Sequence, residues 1–165
     1  MKKFNLPILF SLVWVALSGG AYGGTQTDTL DVNVTSVAAC AMVVTGINFP
    51  DYDGTTSVSA NGQITVTCPM DLMYFITLDA GQNFNGQLRN VSAGAYLLTY
   101  RLGHSLTGNE WGDSGFASTY PQGSAVTNTG NGTPQLHLVD GYLSGGQAVP
   151  AGLLFTDTVA VTLHY

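Results

Sequence analysis

Apolar residues recur at every second position in run after run of this chain, a period that commits it to β-structure. Leu30, Val32 and Val34 alternate with Thr29, Asp31, Asn33 and Thr35. Ile64, Val66 and Cys68 share a face, as do Leu72, Tyr74, Ile76 and Leu78 in the following run. Tyr96, Leu98, Tyr100 and Leu102 repeat the pattern, and Leu136 and Leu138 alternate against Gln135, His137 and Val139. From Thr156 to Tyr165, Val159, Val161, Leu163 and Tyr165 line one face, with Thr158, Ala160, Thr162 and His164 on the other. Turn signals at Pro50–Gly54, Pro69, Ala80–Gly86 and Pro150–Gly152 separate the runs. Charged residues make up only 8%, so the Lys and Glu of exposed helices are scarce, while Gly reaches 21. Short strands joined by turns predict an all-β antiparallel sandwich with Greek-key-like connections.

The first residues set the compartment. Lys2 and Lys3 precede an apolar run from Leu6 to Leu17, followed by small residues with Ala21 and Gly23 in an A-x-G arrangement. This order predicts a secretory signal peptide over 1–23. The apolar run is about a dozen residues, whereas a membrane-spanning helix needs roughly 20. Export to an oxidising compartment makes a Cys40–Cys68 disulfide the default. Neither Cys has a second Cys or a His at ligand spacing, which weighs against a metal or a catalytic thiol. The net charge of −6 excludes the basic face that nucleic acid or anionic lipid requires.

Sites for chemistry are sparse. His104, His137 and His164 share no ligand spacing, so they are expected on the sheet surface rather than on a metal. Asp51-Tyr52-Asp53-Gly54 lacks the closing Glu of a calcium loop and reads as a turn. Glu110 and Asp113 flank Trp111, but glycoside hydrolysis needs carboxyl groups opposed across a cleft. No Gly-x-Ser-x-Gly elbow is present. No catalytic residue, metal or cofactor is expected. An exposed aromatic cluster of Trp111, Phe116 and Tyr120 would instead favour a carbohydrate-binding or adhesive surface.

The two ends of the mature chain carry complementary features. A clean alternating strand stands at the mature N-terminus behind flexible Gly24-Thr25-Gln26, and a strongly apolar strand closes the chain with no successor. Such an edge invites pairing with another chain, and one subunit's N-terminal strand could fill the gap in the next. That contact is heterologous and yields an open filament. Pairing of the N-terminal strand within its own chain is equally compatible with the pattern.

A family resemblance bears on this choice. The Thr-rich segment running into Cys40, Ile47-Asn48-Phe49-Pro50-Asp51-Tyr52 and Gly62-Gln63-Ile64-Thr65-Val66-Thr67-Cys68 resemble the spore coat protein U domain family. So do Ile76–Gly81, Tyr96–Leu102 and the terminal run from Phe155 to Tyr165. Pro50 stands where the family commonly has Gly, and Phe155 where it commonly has Tyr. The resemblance implies an immunoglobulin-like β-sandwich with an incomplete last strand, completed by a donor strand from a neighbouring subunit. It implies a structural pilus subunit, assembled by a periplasmic chaperone and an outer-membrane usher, reaching the cell surface and serving adhesion or biofilm formation. A coat or surface-layer protein is the alternative. Carried onto this chain, residues 24–36 form the donor extension, with Leu30, Val32 and Val34 as its plugs. Residues 37–165 form the domain, with Val159, Val161, Leu163 and Tyr165 on the strand that pairs with donor or chaperone.

Overall fold

The computed structural model describes residues 25–105 and 108–165. The expected signal peptide lies outside them. Residues 36–165 form one compact unit, and the N-terminal segment ending at Thr35 is a separate one. Within the described part of that segment no strand forms, and Leu30, Val32 and Val34 are 84–93% exposed.

Among the described residues there are nine strands and no helix. They are β1 (Ala41–Thr45), β2 (Val58–Thr67), β3 (Met73–Leu78), β4 (Arg89–Ala93), β5 (Tyr96–His104), β6 (Trp111–Ser114), β7 (Val126–Thr129), β8 (Gln135–Leu143) and β9 (Val161–His164). The chain is an all-β immunoglobulin-like sandwich of two antiparallel sheets, in the orders β1-β2-β8-β5-β4 and β7-β3-β9. Their inner faces meet in a core of Ile64, Val66, Leu98, Tyr100, Leu102 and Val139 against Tyr74, Ile76 and Leu78. The alternation in β2, β3 and β5 thus points inward as the sequence implies.

β8 differs. Register pairs Ile64 with His137 and Gln63 with Leu138, so His137, Val139 and Leu143 face inward while Leu136 is exposed. Strand parity is set by the whole sheet, and it overrides the local apolar pair. The terminal strand is also shorter than its pattern. Thr156 bridges Ser92 of β4, whereas Val161–His164 pair with β3 in the other sheet, so the chain changes sheets between them. The Cys40–Cys68 disulfide joins the entry to β1 with the exit of β2. Its sequence separation of 28 corresponds to about 3–4 kcal/mol in the loop-entropy account.

The largest departure from expectation concerns the histidines. His104 and His137 are only 5% and 4% exposed, because both fall on inward positions of β5 and β8. Their rings lie 5.9 Å apart. His137 Nε2 is 2.9 Å from the Tyr74 hydroxyl, and His104 packs edge-on against Trp111. Burial pushes both imidazole pKa values below the ordinary 6.5; Asp140 partly offsets this for His104, and His104 adds to it for His137. A folded pKa below the unfolded one means that the unfolded chain binds more protons as acid is added. The stability held by the neutral pair is therefore complete above pH ~6.5 and drains as pH falls below it. Urea midpoints should be level between pH 7 and 8 and fall steadily from pH 6.5 to 5. In His137→Gln that slope should be shallower, and an unchanged slope would refute the assignment.

Candidate functional site

Among the described residues β9 has a partner on one side only, with β3 as its neighbour in the sheet. Thr158 O accepts from Gln82 N, and Ala160 O accepts from Asp79 N, each at 3.1 Å. Ala160 N donates to Asp79 Oδ1 at 2.9 Å. Backbone groups of alternate residues in an extended chain face opposite neighbours. Thr158, Ala160 and Thr162 thus spend theirs on the β3 side, and Val159, Val161 and Leu163 present theirs at the open edge. The same three side chains turn inward, where they are half-buried against the core. Tyr165 follows β9 and is exposed.

A second lip faces this edge. After β1 the chain runs on through residues 46–54, with Ile47, Phe49 and Tyr52 half-buried on the core. Glycines in the sheet beneath make room for it. A Cβ at Gly62 would come 2.7 Å from Ile47 Cγ1, and one at Gly141 would come 2.8 Å from Phe49 Cζ. Tyr52 OH donates to Ser144 O at 2.9 Å and accepts from Gln147 N at 3.0 Å, anchoring the lip at its far end. Just beyond, the backbone N–H groups of Thr56 and Thr55 hold the Asp53 pKa down to about 2. Between the two lips lies a groove of about 750 Å³ whose floor is the core itself, including Ile64, Leu78, Leu98, Tyr100, Leu102 and Val139.

One carboxylate fixes the β9-side lip. Asp157 Oδ1 accepts from Gln82 N (3.0 Å), Asn83 N (3.1 Å) and Asn83 Nδ2 (3.0 Å). Its Oδ2 accepts from Tyr100 OH at 2.6 Å. Burial first, and then this carboxylate, push the Tyr100 phenol far above its ordinary pKa. Gly81 has no Cβ, which leaves space for Asp157 Oδ2.

Other residues singled out from the sequence have structural roles. Trp111 and Tyr120 are fully buried, so only Phe116 of the expected aromatic surface is exposed. Asp113 accepts from Thr119 and from Tyr120 N, closing its own loop. Glu110 accepts from Tyr120 OH and sits 3.7 Å from Arg89, a residue that patterning passed over. Arg89 is 0% exposed; it donates to the carbonyls of Asp79, Trp111 and Leu78 and lies 3.9 Å from the centre of the Tyr120 ring. An Arg in a chain with only four Lys and Arg residues was the available sign. Among the described residues no cluster of His, Cys, Asp or Glu could hold a metal ion.

Comparison with known proteins bears on the groove. The family profile described as Spore Coat Protein U domain matches residues 15–162. The chain belongs to the spore coat protein U domain family. No curated protein sequence matches it. Among solved structures it is similar to a chain of the CsuC–CsuE chaperone–tip adhesion subunit pre-assembly complex from archaic chaperone-usher Csu pili of Acinetobacter baumannii. That match has a TM-score of 0.59 at 18% identity and covers 79% of this chain. The chain spans 40% of the length of that relative.

The geometry makes Asp157 and Tyr100 one coupled unit. Asp157→Ala should lower the unfolding free energy by about 2–4 kcal/mol and Tyr100→Phe by about 1–2 kcal/mol. In urea titrations the double variant should lose less than the sum of the two. Strict additivity would show that the pair does not act together.

Proposed function

We propose that this protein is a structural subunit of an exported surface pilus, assembled by the chaperone–usher route through donor-strand exchange. The observation that carries this reading is the open β9 edge beside a groove floored by the core. A sandwich in that state lacks a strand, and a strand from another chain supplies both backbone hydrogen bonds and apolar plugs. Membership of the spore coat protein U domain family, and the likeness to a chain from a chaperone–subunit complex of Csu pili, support the same reading.

The donor is residues 27–35 of a neighbouring subunit. Leu30, Val32 and Val34 enter the groove, while Thr29, Asp31, Asn33 and Thr35 face solvent. In the chain itself these apolar residues are exposed and unpaired in any strand, which is the state a donor needs before transfer. A periplasmic chaperone fills the groove first, pairing along Val159, Val161 and Leu163. The outer-membrane usher then exchanges it for the next donor, and repetition builds a filament at the cell surface for adhesion or biofilm formation. The subunit needs no catalytic group for this. A sugar-binding reading has little to rest on, because Trp111 and Tyr120 are buried.

The test compares the mature chain with a version lacking Gly24 to Ser36, each made in a periplasm with a matching chaperone. After chaperone release, the full chain should form an SDS-resistant ladder at room temperature that collapses on boiling, and the truncation should not. Val32→Asp should shorten the ladder sharply by placing a charge against the groove floor. Monomers from both the full chain and the truncation, equally well folded, would overturn the reading.

A further inference from the structure

Among the exposed apolar residues, two groups stand at opposite ends of the sandwich. β2 runs from Val58, paired with Leu143, down to Val66, paired with Gln135. The disulfide at Cys68 marks the lower end, and there Met70 and Met73 are 71% and 57% exposed, with Val37 also exposed. At the upper end Tyr100 pairs with Leu143, so Tyr96 and Leu97 extend beyond it at the tip of the β4–β5 hairpin, each 48% exposed. Thr156 bridges Ser92 of that hairpin in antiparallel register, which sets Leu154, 83% exposed, beside the same tip. Leu153 and Leu154 also line the groove at this mouth.

We propose that this upper rim, Tyr96, Leu97 and Leu154, is a second contact surface, and that its partner is the disulfide end of the next copy of the chain. The proposal rests on the donor-strand reading above. β9 runs from the upper end towards the lower, since Val161 pairs with Leu78 and His164 with Phe75. A donor lying antiparallel to it, the more stable pairing, leaves the groove at the upper mouth. From its last plug, Val34, to Cys40 there are six residues, about 20 Å at full stretch. That tether holds the donor's own body against the mouth it leaves by. The surface it brings is Val37, Met70 and Met73. Two apolar patches that are each exposed in the single subunit are thereby covered by one head-to-tail contact, without any closed symmetry.

Leu154→Cys combined with Met70→Cys tests this, treated with a short bis-maleimide after chaperone release, with each single variant as control. Native Cys40 and Cys68 are bonded to each other and do not react. The double variant should give a ladder that survives boiling and reductant, whereas the single variants should collapse to monomer. A room-temperature ladder that still collapses on boiling in the double variant overturns the body-to-body contact and leaves donor exchange standing. Absence of the room-temperature ladder overturns both. A second pair, Leu97→Cys with Met73→Cys, should behave in the same way, and failure of both pairs within an intact ladder rules the contact out.

Discussion

The Asp157 carboxylate gathers three nitrogen donors from Gln82 and Asn83 and the Tyr100 phenol, and this holds the last stretch of chain at the rim of the sandwich. A strand free to settle could slide over Leu98 and Leu102 and close the core. Held by charge-assisted hydrogen bonds at Asp157 and by Asp79 at Ala160, it cannot. The groove is therefore an enforced opening, kept at a cost in exposed apolar area. Gly62 and Gly141 do the corresponding work on the other lip, since any side chain there would lift Ile47 and Phe49 off the sheet.

A buried charge supports the same region from beneath. Arg89 collects the carbonyl oxygens of Leu78, Asp79 and Trp111, which belong to the end of β3, the turn after it and the start of β6. A fully desolvated guanidinium persists only when its donors are satisfied, and here the carbonyls, Glu110 and the Tyr120 ring satisfy it. The turn that carries Asp79, Gln82 and Asn83 is thus fixed on one side by Arg89 and on the other by Asp157.

Much of this was legible in the sequence. Period-two alternation located β2, β3 and β5 and their inward faces, and the two cysteines gave the disulfide. The apolar face of the terminal run, Val159, Val161 and Leu163, packs against the core as its alternation implies. What escaped was whatever depends on partners distant in sequence. The inward face of β8 is decided by its register with Ile64, and no local pattern contains that information. His104 and His137 read as surface residues because a His on an alternating strand carries no mark of its side. Arg89, Asp157 and Gly62 matter through contacts that include residues 10, 57 and 15 positions away, a kind of signal that periodicity does not hold.

The position of the disulfide has a mechanical consequence. In a fibre built by strand exchange, tension enters each subunit through the short tether that ends at Cys40. β1 is an edge strand of five residues, and pulled alone it would peel from β2 one hydrogen bond after another. The bond to Cys68 diverts that load into the far end of β2, a ten-residue strand flanked on both sides within the larger sheet. Force must then shear many hydrogen bonds at once, and the weakest link of the fibre moves away from the fold and into the groove.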